Sequence, residues 1–148
     1  MTIDDLIKIL QASIAPVVLI SGVGLLLLTI TNRLGRSMDR IRQLCAEFES
    51  APKNPSAIKA QIPILYKRCQ YLRVSLFLSI ASVVCVSIII FLLFSIYIFH
   101  INLIKPVILL FEAGLVMLIL SLLYFLLDVW AALRSLKIEI KNTFGDQK

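Results

Sequence analysis

Two carboxylates, Glu112 and Asp128, interrupt the apolar run from Val107 to Trp130, and they are the residues whose chemistry is hardest to explain as surface decoration. An ionisable group in hydrocarbon is costly unless paired, and it marks a packing contact, an ion pathway or a proton site. The matching cations stand where the first apolar run ends, in Thr31-Asn-Arg-Leu-Gly-Arg-Ser-Met-Asp-Arg-Ile-Arg42. There Arg33, Arg36 and Arg40 share one helical face, overlapped by a stripe of Asn32, Arg36, Asp39 and Gln43. The functional reading is a pocket or relay at the mouth of the span. The plainer one is interfacial anchoring, with Arg36–Asp39 and Asp39–Arg42 pairs and contacts to anionic lipid.

Arg33 differs from the other arginines because it follows the hydrocarbon run directly and needs a carboxylate. Asp128 is the natural partner: Gly114, Met117, Ser121, Tyr124 and Asp128 recur at spacings of three and four, one face turned toward neighbouring helices. An Asp128–Arg33 or Asp128–Arg73 pair is therefore predicted, as a structural clamp before a proton site. Glu112 lies sixteen residues before Asp128, about 160° around an ideal helix, so the two acids cannot share a pocket in one subunit. Glu112 is expected to snorkel toward Lys105 or His100, or to form a subunit contact or a pathway acid.

Conventional catalysis finds little support. His100 is the sole histidine, which leaves no His-based metal site and no Ser/His/Asp set. Gly22-Val-Gly24 lies inside an apolar run and is no phosphate loop. Cys45, Cys69 and Cys85 form no CxxC pair, so neither a cofactor nor a disulfide framework is expected. Tyr66 and Tyr71 near Lys67, Arg68 and Arg73 read as interface anchors rather than a nucleic-acid surface.

The elements that must position these groups are helices. Hydrophobic residues make up 59% of the 148-residue chain and mean hydropathy is +0.94, above the roughly 45–50% apolar content of soluble domains. Spans are expected at about 12–32, 74–99 and 107–130 of a single membrane domain, 1–148. Ile3, Leu6, Ile7 and Leu10 suggest an interfacial turn before the first span, with a bend or helix start at Pro16. Asp4 and Asp5 stand where a signal peptide would be basic, so the first span is read as retained. Leu34, Met38, Ile41, Cys45 and Phe48, then Ile58, Ile62, Leu65, Cys69 and Leu72, repeat at four and three and predict a helical hairpin over 33–73. Its turn falls at Ser50–Ser56, Cys45 faces Cys69, and Pro63 kinks or opens the second arm. Ser75, Ser79 and Ser82 give the second span a small polar stripe for helix contact. A charged helix over 131–142 follows the third.

Charge sets the orientation. Of the Lys and Arg residues behind the net charge of +6, nine lie in 33–73 and four in the C-terminal tail, against Lys8 and Lys105 elsewhere. The positive-inside rule then places hairpin and C-terminus in the cytoplasm and the N-terminus outside.

Ala15-Pro-Val-Val-Leu-Ile-Ser-Gly-Val-Gly, Thr31-Asn-Arg with Asp39-Arg-Ile-Arg42, and Asp128-Val-Trp-Ala-Ala-Leu133 resemble the bacterial membrane proteins grouped as a domain of unknown function, DUF2721. The resemblance covers nearly the whole chain and implies a small three-span protein of the bacterial inner membrane, with no implied activity. It also implies an acid at position 128, more often Glu than the shorter Asp found here. The expectation is thus an all-α integral membrane protein, three transmembrane helices with a cytoplasmic helical hairpin extension. It is read as non-enzymatic, a scaffold or assembly subunit that self-associates or joins a larger membrane complex, with anionic lipids at its cytoplasmic face and no nucleic acid. The alternative is an oligomeric ion or proton channel or transporter using the intramembrane acids.

Overall fold

The computed structural model describes the backbone of residues 3–50, 55–99 and 104–144. Within those stretches it describes the side chains except at 3–6, 8–10, 12–13, 55–57, 60, 97 and 134–144. Among the described residues every regular element is an α-helix: α1 (Ile3–Glu49), α2 (Pro55–Phe99) and α3 (Ile104–Phe144). All three are long and apolar enough to cross a membrane, which makes this a multi-pass membrane protein. Such length follows from the solvent, because hydrocarbon offers backbone N–H and C=O groups no partner outside the helix itself.

The helix ends follow local chemistry. Pro55 opens α2, where a missing N–H removes no helical bond, and Pro106 stands in the first turn of α3. At the end of α1 the Ser50 N–H and its hydroxyl both donate to the Ala46 carbonyl, at 3.2 and 3.1 Å, and so satisfy a terminal acceptor. Of the two outcomes expected at each proline, a helix start is excluded, because Pro16 and Pro63 both lie inside continuous helices. The expected interfacial turn at 3–11 is accordingly the opening of α1 itself.

The chain divides into two compact units, residues 1–29 with 77–121 and residues 30–76 with 122–148. In the first, Val23, Val86 and Ile89 are buried together with Ser79, Ser82, Gly114 and Ser121. Four hydroxyls on its outside, those of Ser21, Thr29, Ser87 and Ser95, donate to carbonyls four residues back at 2.9–3.2 Å. Such back-bonding lets a hydroxyl face lipid without an unmet donor.

In the second unit Ile30, Ser37 and Leu44 of α1 and Ile58, Cys69, Leu72 and Ser75 of α2 are buried. The α2 stripe is where the spacing placed it. The α1 stripe is rotated from the expected one: Leu34 and Ile41 flank it half-buried, whereas Met38, Cys45 and Phe48 are exposed. Cys45 therefore does not face buried Cys69. The Lys59 ammonium lies 5.4 Å from the centre of the Phe48 ring, joining the two hairpin arms near the expected turn. Residues 51–54 of that turn, His100 in the second connection, and the side chains of the C-terminal helix beyond Leu133 lie outside the described residues.

Candidate functional site

Asp128 is fully buried in the second unit, and two helices reach it. Arg68 of α2 donates from Nε to Asp128 Oδ1 at 3.1 Å, a charge-assisted hydrogen bond. Arg33 of α1 brings Nη2 to 3.1 Å from Oδ2. Oδ2 accepts no aligned hydrogen bond, so the Arg33 contact is coulombic rather than directional. The Arg33 guanidinium also lies 5.3 Å from the centre of the Phe125 ring on α3, a cation–π contact. One carboxylate thus ties α1, α2 and α3 together, while the arginine side chains stay 29% and 20% exposed at Arg33 and Arg68.

Why Arg68 and not Arg73 follows from helix geometry. Residues 68, 75, 82 and 89 are seven apart, and Ser75, Ser82 and Ile89 are all buried, so position 68 stands on the packed face. Arg73 lies five residues on, about 140° around the helix, and is exposed. Of the two partners predicted for Asp128, Arg33 is found and Arg73 is not, and the second cation is Arg68. A long arginine reaches the carboxylate from one heptad before the serine stripe, and nearness to the apolar boundary pointed to the wrong residue.

The other polar residues singled out on α1 do not join this cluster. Asn32, Arg36, Asp39 and Arg40 are exposed. Arg36 Nε donates to the Asn32 carbonyl at 3.4 Å, and Asp39 pairs with Arg42 at 3.8 Å. An exposed pair of that length contributes little. These residues form an exposed edge of α1.

In the first unit the stripe on α2 meets the matching stripe on α3. Ser79 Oγ and Ser121 Oγ are 2.6 Å apart, and Ser82 Oγ donates to the Gly114 carbonyl at 2.9 Å. Gly114 permits this approach, since a β-carbon there would lie 3.3 Å from the Cys85 β-carbon. Without a hydrophobic driving force between helices in lipid, small residues and such hydrogen bonds carry the packing. Glu112 stands apart from these contacts: it is exposed, and no described residue pairs with it.

The described residues contain no group of three or more potential metal ligands. What the buried polar groups do is hold helices: acceptor to guanidinium at Asp128, hydroxyl to hydroxyl at Ser79–Ser121.

No curated protein and no solved structure matches the chain. A family model does match over residues 13–138, which include the whole Asp128 cluster and both serine contacts, and the chain belongs to that family, the proteins of unknown function designated DUF2721.

Proposed function

We propose that the chain is a non-enzymatic membrane scaffold or assembly subunit that associates with further copies of itself along the face of α3 carrying Glu112. One observation carries this reading. Among the described side chains of the first unit only Lys105 and Glu112 are charged, and Glu112 is exposed between Ile108, Leu109, Leu115 and Val116. The hydroxyls on the same unit's exterior satisfy themselves on their own helices, which a carboxylate, lacking a donor when ionised, does not. Lipid tails offer it nothing. A parallel copy related by an axis along the membrane normal brings its own Glu112 to the same depth, where two carboxyl groups can share a proton in one hydrogen-bonded contact.

The reading includes a location. Basic residues crowd 33–73 and the C-terminal tail, which supports a bacterial inner-membrane protein with the hairpin and C-terminus in the cytoplasm and the N-terminus outside. The exposed edge at Arg36, Arg40 and Arg73 then meets anionic headgroups. Cross-linking in native membranes tests the association. Dimers or larger homo-oligomers, or adducts in which this chain is a subunit of a larger complex, are expected; only monomers at every expression level would overturn it.

A further inference from the structure

We infer that the Arg33–Asp128–Arg68 cluster is a binding site for the phosphodiester of an anionic phospholipid headgroup. The inference rests on the membrane reading and names a partner for one defined site in it. The first support is charge. Two guanidiniums stand against one carboxylate, and among the described residues neither arginine pairs with any other acid, so one positive charge at the cluster is unmatched. Asp39, the acid of α1 with an ion pair among the described residues, is taken by Arg42.

The second support is the number of unused donors. Each arginine gives Asp128 one nitrogen, Nη2 from Arg33 and Nε from Arg68, which leaves Nε and Nη1 of the first and both Nη atoms of the second. The carboxylate is fully buried while the arginine side chains are partly exposed, so what the cluster offers its surroundings is arginine and not acid. A phosphodiester monoanion matches it in charge and in its taste for forked N–H donors. The donors are also held before any ligand arrives, because Asp128 restrains both guanidiniums and the Phe125 ring underlies one of them. Less side-chain entropy is then lost on binding.

The third support selects a lipid over free phosphate. Leu122, one turn before the Phe125 ring that lies against Arg33, is exposed and apolar, a surface that acyl chains cover.

The test uses the full chain purified in a neutral detergent, with binding of short-chain phosphatidylglycerol, phosphatidylcholine and inorganic phosphate followed by native mass spectrometry and by thermal shift. Phosphatidylglycerol is expected to bind at least tenfold more tightly than phosphatidylcholine and to raise the melting temperature, and inorganic phosphate to do neither. Arg33→Gln and Arg68→Gln should each abolish that preference, whereas Lys59→Gln and Lys67→Gln, at exposed basic residues outside the cluster, should retain it. If the first two variants do not fold, Arg33→Lys and Arg68→Lys, which keep the charge but lose the fork, should reduce the preference severalfold. Equal binding of the two lipids, a preference untouched by changes at 33 and 68, or a full effect from phosphate alone would each overturn the proposal. Failure of the chain to insert into vesicles would instead refute the membrane reading, and a chain that inserts without discriminating lipids refutes the site alone.

Discussion

Neutralising Asp128 isolates the contact that joins the three helices. Asp128→Asn keeps the shape of the side chain and removes its charge. Arg33 and Arg68, 29% and 20% exposed, can turn partly toward solvent when it is gone, so neither becomes a fully buried orphan. The loss is then one charge-assisted hydrogen bond, about 1.5–3 kcal/mol, plus an undirected contact of about 0.5–1 kcal/mol. The reverse change, Arg68→Gln, is expected to cost more, about 3–5 kcal/mol, because it strands a fully buried carboxylate with only the off-line Arg33 contact. If the two residues act as one unit, the double variant should lose less than the sum by about 1–3 kcal/mol. Reversible unfolding in mixed micelles, followed by helicity, measures all four corners of the cycle. Additivity within about 0.5 kcal/mol, or an equal coupling between Asp128 and Arg73, would refute the reasoning.

The remaining predictions concern the first unit and transport. Ser79→Ala should destabilise by about 0.5–1.7 kcal/mol, read by the same unfolding assay. Gly114→Ala should destabilise by about 1–3 kcal/mol, since the new β-carbon meets the Cys85 β-carbon at 3.3 Å, and a neutral result there would mean that α2 and α3 are not held at this distance. Proteoliposomes containing the chain should pass protons and monovalent ions no faster than empty vesicles. A flux that Glu112→Gln or Asp128→Asn removes would replace the scaffold with a conducting pathway.

Much of the packing could be read from spacing alone. The face Gly114, Met117, Ser121, Tyr124 and Asp128 is the inner face of α3, and Ser75, Ser79 and Ser82 lie on that of α2, because small and polar residues that recur on one face of an apolar helix mark where a neighbouring helix packs, whereas isolated ones such as Ser21 and Ser87 bond back to their own helix. The α1 stripe was harder to read for the complementary reason. Its buried line Ile30, Ser37 and Leu44 has a serine in the middle, and the apolar residues beside it, Met38 and Phe48, form a better pattern on paper but face outward. Arg68 was hidden by its company. Among Lys67, Arg68 and Arg73 only the seven-residue register through Ser75 and Ser82 marks it as the one that faces in, and that register becomes visible once the serine stripe is taken as a seam and extended backward. Glu112 could be set opposite Asp128 by counting residues, but no counting within one chain supplies its partner.

That partner is the most direct test of the account. Two fluorophore-labelled populations of the chain, co-reconstituted in lipid vesicles and diluted over several decades of protein-to-lipid ratio, report association through energy transfer. Wild-type protein and Glu112→Gln, which still offers a hydrogen-bonding amide, should associate, and Glu112→Leu should weaken association at least tenfold. Transfer no greater than random co-localisation for the wild type, or equal association of all three proteins, would contradict a scaffold assembled through Glu112.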